Sequence, residues 1–152
     1  LLGYIDRAKD AQLLINGKNV LNAIQAEASQ GYAKAGDLTF SGWIYKNGSE
    51  SNPGGYNDMV KAMAKLADVD AGAQAWFCMA APSAKATREN HAAWTVYQVI
   101  YYEPDSAAYF DGTSWETLDI SSGGISTKAE EIKGKAKYKN GNPVSEWYWV
   151  GK

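Results

Sequence analysis

The sequence predicts an α+β domain in which helix comes first and an antiparallel sheet follows. Three observations lead there. Apolar residues recur near every 3.6 positions from Leu1 to about Ala35, with no proline before Pro53. From Ala73 onward the apolar and aromatic residues become strand-like, most clearly in "WTVYQVIYY" (Trp94–Tyr102). Turn formers then punctuate the chain at "EPDS", at Asp111-Gly112 and at "NGNP". Helices early and strands late define the class.

The elements follow in order. "AGD" at Ala35–Asp37 ends the first helix, and "LTFSGWIY" (Leu38–Tyr45) reads as a short extended segment. A loop rich in turn formers, "KNGSESNPGGYN", comes next. Asn57 can cap a second, short helix that gathers Met59, Met63 and Leu66 on one face and stops near Asp68. "AQAWFCMA" (Ala73–Ala80), Trp94–Tyr102 and "AAYFDGTSWETL" then give a meander of antiparallel strands. "DISSGGISTK" reads as loop. In "IKGKAKYK", Lys133, Lys135, Lys137 and Lys139 alternate with smaller or apolar residues, the pattern of a lysine-protected sheet edge. "VSEWYWV" (Val144–Val150) closes the sheet. No internal repeat divides the chain, so 1–152 reads as a single domain: 1–35 a helix whose start projects, 36–152 a globular head.

The first helix changes face along its length. At about 100° per residue, Leu13, Leu14, Gly17, Val20, Leu21, Ile24, Ala28, Gly31 and Tyr32 fall in one sector about 120° wide. Extended toward the N-terminus, that sector meets Asp6 and Asp10, which are costly to bury without partners. The first dozen residues instead place Tyr4, Ala8, Ala11 and Ile15 on nearly the opposite face, with Ile5 beside them. Some 34 residues make a helix about 50 Å long, against a diameter of roughly 40 Å for a compact domain of this size. The first turns are therefore expected to project. The alternatives are a break at Gly17, or a curved helix whose start tucks under its own sheet.

Composition narrows the function. A formal net charge of −2 and no basic cluster argue against nucleic acid or an anionic membrane as partner. No apolar run approaches the length of about eighteen residues that crosses a bilayer. One cysteine, Cys78, excludes an internal disulfide and a cysteine-based zinc cage. His91, the single histidine, invites a Cys–His hydrolase reading with Cys78, yet Cys78 sits between Phe77 and Met79 in a strand, where thiols are packing groups. "DVDAG" (Asp68–Gly72) and "EPDS" lack the ligand ladder of a calcium loop. Neither catalysis nor a metal nor a cofactor is expected.

A long N-terminal helix, free at its start and packed at its end on an antiparallel sheet, resembles the type IV pilin and pseudopilin family. "LLGYIDRAKDAQ" is similar to the stretch that follows the membrane-spanning half of the first helix in such proteins. "VYQVIYYEPDSAAYFDGTSWE" is similar to the sheet meander of pilins from Gram-positive bacteria. The resemblance implies a pilin-like fold and a structural subunit of a type IV pilus or pseudopilus at the cell surface. It also implies an apolar anchor upstream of Leu1, since the chain starts in mid-helix without Met, as a trimmed fragment would. Partners are then identical or related subunits in a helical filament, met through Leu1, Leu2, Tyr4, Ile5, Ala8, Ala11 and Ile15.

Six Trp and ten Tyr supply the rival reading, a secreted carbohydrate-binding module with glycans as partner. Trp43, Tyr45, Tyr56, Trp115, Trp147, Tyr148 and Trp149 are the candidate stacking residues. Strand alternation puts Trp147 and Trp149 on one side and Tyr148 on the other.

Overall fold

The computed structural model describes residues 2–35, 65, 72–82 and 90–151, with the side chains of 2–6, 34 and 35 set aside. Helix α1 spans Leu2–Ala35. The strands are β1 (Gln74–Met79), β2 (Val96–Glu103), β3 (Ser106–Phe110), β4 (Trp115–Thr117) and β5 (Tyr148–Gly151). A one-turn 3-10 helix at His91–Trp94 leads into β2, and helix α2 covers Gly124–Lys135. The α+β class therefore holds. The predicted extended segment Leu38–Tyr45, the loop after it and the helix after Asn57 lie outside the described residues.

All strand pairs are antiparallel, in the order β4-β3-β2-β1-β5. Four consecutive strands form the expected meander, and β5 returns to the far side of β1 instead of following β4. At one end of the β1–β2 ladder Cys78 pairs with Gln98 but Met79 with Val96, so Tyr97 is an extra residue in β2. This bulge turns Val96 and Val99 toward one face and Tyr97 and Gln98 toward the other.

The first face packs on α1. Ala75, Phe77, Met79, Val96, Val99, Tyr101, Ala108, Tyr148 and Val150 form one buried cluster with Leu13, Val20, Ala23, Ile24 and Ala28. Every residue of the predicted stripe is buried or half-buried, Gly17 and Gly31 included. Gly17 does not break the helix. It admits the Trp115 indole, since a Cβ there would lie 2.8 Å from its Cζ3. Polar clamps hold α1 at both ends of β2. The Gln25 amide accepts from Val96 N–H at 2.8 Å and donates to the Trp94 carbonyl at 3.2 Å. Asn16 Nδ2 donates at 2.9 Å to Glu103 Oε2, which also accepts from the buried Tyr101 hydroxyl at 2.6 Å.

The second face is covered in part by α2 and by the segment returning to β5. Here the lysine alternation misleads. Lys133 and Lys135 lie in α2, so neither protects a sheet edge, and residues 124–128, expected as loop, begin that helix. Ion pairs at helical spacing, Glu130–Lys133 at 2.8 Å and Glu131–Lys135 at 3.6 Å, support the helix, while Ala129 buries on the sheet. Beyond Ala136 the chain does extend, but only one bridge forms, Lys137 to Pro143, around the turn at Gly141 (φ 88°). Tyr138, Val144 and Ala136 close over Cys78 as a smaller buried cluster. The Asp111-Gly112 turn forms as expected: the Asp111 carboxylate accepts from the Thr113 and Ser114 amides, which lowers its pKa, and Gly112 adopts φ 102°.

Two substitutions test this seam. Gln25→Ala leaves a backbone donor and acceptor without their side-chain partner and is expected to cost about 1–3 kcal/mol in denaturant unfolding. Gly17→Leu drives a side chain into the Trp115 ring and is expected to cost about 3 kcal/mol, with the penalty shrinking in a Trp115→Ala background.

Candidate functional site

Clamp positions fix where α1 leaves the sheet. Asn16 lies level with Glu103 at the end of β2, and Gln25 with Trp94 and Val96 at its start, so the two run antiparallel. Farther toward the N-terminus, Lys9, Asp10 and Leu13 line a cavity of about 310 Å³ with Asp105 and Ser106 of the β2–β3 turn. Leu2–Ala8 continue the helix about 10 Å past that level of the described sheet.

Along this overhang and the turn beside it, every described side chain from Arg7 to Gln12 is exposed. Ala8 and Ala11 are among them. Ile15 follows on the same face at 50% exposure, the one exposed large hydrophobic among the described residues. An isoleucine left half in water beside two alanines forms a short apolar track flanked by Arg7, Lys9 and Asp10. The structure thus places Ala8, Ala11 and Ile15 together and free. The side chains of Leu1, Leu2, Tyr4 and Ile5 lie outside the described residues.

Cys78 and His91 do not meet. Cys78 is fully buried on the second face, and its thiol is pushed up to about 12, chiefly by burial. His91 is exposed on the α1 side, its Nε2 3.1 Å from the Tyr32 hydroxyl and its ring tilted against Tyr32 with centroids 4.6 Å apart. Among the described residues no base stands beside this protonated, covered thiol on the opposite side of the sheet. Among the described residues no three His, Cys, Asp or Glu side chains group as a metal site would need, and no helix is long and apolar enough to cross a membrane. Glu103 of "EPDS" is engaged in the Asn16–Tyr101 clamp. Asp68 and Asp70 lie outside the described residues.

The tryptophans divide between the faces. Trp115 packs toward α1, and Tyr148 is buried against Phe77 with ring centroids 5.5 Å apart. Trp147 and Trp149 lie on the second face, as alternation predicts, and Trp149 stands opposite Trp76 in the β1–β5 ladder. Trp43, Tyr45 and Tyr56 lie outside the described residues. Trp76 was not among the sequence candidates. Its alternation in "AQAWFCM" gave its face, but only the pairing of β1 with β5 brings it beside Trp149.

Deeper on this face, Gln98 is buried, accepts from the Tyr109 hydroxyl at 2.7 Å and donates to the Asp111 carbonyl at 3.2 Å. Burial, then the Asp111 charge, raises the Tyr109 phenol to about 12. With Lys128, Glu131, Lys135 and Lys137 around the rim, these two residues floor an open cavity of about 450 Å³. Along α2, Glu131 pairs with both Lys128 at 4.0 Å and Lys135 at 3.6 Å.

Compared with protein-family models, curated proteins and solved structures, the chain matches none.

The Cys78 geometry fixes a pH response. The thiol ionises near its ordinary 9.0 when unfolded but near 12 when folded, so the folded state holds the extra proton between those values. Stability is expected to fall as pH rises through that window, and Cys78→Ala to flatten the fall down to the part carried by Tyr109. Thermal melts across the alkaline range check it. In the native protein, a thiol-reactive disulfide reagent is expected to label Cys78 only at the rate of unfolding.

Proposed function

We propose that this chain is the globular part of a type IV pilin or pilin-like subunit, assembling into a surface filament through its first helix. One observation carries the reading: a single 34-residue helix packs a stripe beginning at Leu13 on the sheet, while Ala8 and Ala11 before it and Ile15 on the side turned away stand exposed to solvent. Small side chains let neighbouring helices approach closely, and Ile15 gains most from being covered. A contact between this track and a different patch of the next copy does not close on itself and propagates as a helical polymer. In such a filament α1 lies toward the axis and the sheet's second face toward the medium. The antiparallel meander behind the helix is consistent with this arrangement, and the role needs no catalytic group.

The reading requires an apolar helical segment continuous with α1 in the encoded protein, which its reading frame upstream of Leu1 tests directly. A second test uses the full-length subunit in its own cells. Ala11→Glu and Ile15→Asp put charges on the track and are expected to leave the melting temperature of the soluble domain unchanged, because both positions are exposed. Surface filaments counted by electron microscopy are expected to fall at least tenfold. Undiminished filaments in both variants, or wild-type filaments lacking this chain, would sink the proposal.

A further inference from the structure

The second face of the sheet carries a feature that subunit packing through α1 leaves unexplained. Trp76 of β1, Trp149 of β5 and Tyr102 of β2 stand side by side there, all half-buried, in contrast with the covered Phe77, Tyr101 and Tyr148 of the first face. The Trp149 indole N–H donates to Gln74 Oε1 at 3.2 Å, and the Tyr102 hydroxyl donates to the same oxygen at 2.9 Å, which fixes both rings. Beside this row opens a cavity of about 470 Å³, lined by Trp76, Trp147, Glu130, Lys133, Gly134 and Ser145. That volume lies within the range of small-molecule sites.

Lys133 is the unusual member. A lysine on a surface helix ordinarily keeps its head in water, yet this side chain is only 16% exposed. Its ammonium lies 3.9 Å from the centre of the Trp76 ring and 2.8 Å from Glu130. Lys133 is held over the indole before any ligand arrives, which lowers the ordering cost of binding at that group, while Glu130 stands 73% exposed at the rim. The cavity wall thus offers a held donor in Lys133, an exposed acceptor in Glu130, a hydroxyl in Ser145 and apolar indole surface chiefly in Trp147, since Lys133 covers the Trp76 ring. Gly134 lines the mouth with room to spare, since a Cβ there would meet nothing within 4 Å.

We infer that this cavity binds a neutral pyranose unit of an oligosaccharide. Alternating hydroxyls match a donor and an acceptor side by side, and the apolar C–H surface of a sugar ring matches an indole. Because Glu130 already neutralises Lys133, an uncharged ring fits better than a uronic or sialic acid. The site lies across the sheet from the free track of α1 and does not depend on the filament reading.

Gly134 supplies the test, because the position is helical and roomy. Gly134→Leu is expected to fold with an unchanged or raised melting temperature while filling the cavity. Lys133→Met keeps the stem packed on Trp76 and removes the donor. Tryptophan emission is followed during titration with cellotriose, chitotriose and maltotriose, and with trigalacturonate as the acidic control. The expected result is a saturable change for at least one neutral trisaccharide, weakened at least tenfold in both variants, with trigalacturonate weaker. No saturable change with any neutral trisaccharide at tens of millimolar, or binding that survives Gly134→Leu, overturns the inference. So does a preference for trigalacturonate.

Discussion

A long helix can bury only the part of itself that lies over something apolar, and in this protein the sheet sets that length. Leu13, Val20, Ile24 and Ala28 meet the first face at helical spacing, with Ala23 beside them. Small residues at Gly17, Ala23, Ala28 and Gly31 bring the helix axis close to the strands, and the Trp115 indole takes the space over Gly17. Burying these side chains supplies the driving force, at about 25 cal/mol for each Å² of apolar surface removed from water. The polar clamps add register more than energy. With Gln25 bonded to the backbone at the start of β2 and Asn16 to Glu103 at its end, α1 cannot slide along the sheet without leaving buried polar groups unpaired. Register, in turn, decides that the turns before Lys9 run past the β2–β3 turn.

The two faces of the sheet answer to different chemistry. Toward α1 the side chains are aliphatic or aromatic, covered at the centre and partly covered at Phe110 and Trp115. On the other side Tyr102, Tyr109 and Trp149 keep polar tips satisfied by Gln74 and Gln98, and α2 contributes ion pairs along its length. Aromatic rings with engaged polar ends suit a boundary between protein and water. The bulge at Tyr97 serves this division by letting Val96 rejoin the α1 face after Gln98 has pointed away. A molecule built this way has an apolar layer committed to holding its helix and a wet layer with rings and charges to spare. The proposed filament contact and the proposed sugar site fall on opposite sides of that divide, so occupancy of one leaves the other accessible.

Local pattern made the first helix, its buried stripe, the strand at Val96–Glu103 and the Asp111-Gly112 turn readable without coordinates. Each depends on interactions a few residues apart: a 3.6-residue apolar period, a β-branched run, an Asp whose own carboxylate caps the turn. The exposure of Ala8, Ala11 and Ile15 was readable for the same reason, since a stripe that faces the sheet at Leu13 and Val20 must turn Ile15 away. The second helix was misread because lysines at every second position imitate a strand. The competing signals, Ala129 and Ile132 on one side with glutamates three or four residues before lysines, were local too but weaker.

What no local pattern held was who stands beside whom. Strand β5 lies against β1 and not β4, which sets Trp149 opposite Trp76 and brings Lys133 over the indole. Trp76 is separated from both by scores of positions, and nothing in the spacing of either segment encodes the other. Cys78 and His91 were likewise near in sequence, yet the sheet lies between them. Side-chain chemistry and short-range periodicity specify elements and their buried sides; the pairing order of strands, settled by closing long loops around one shared core, specifies the sites.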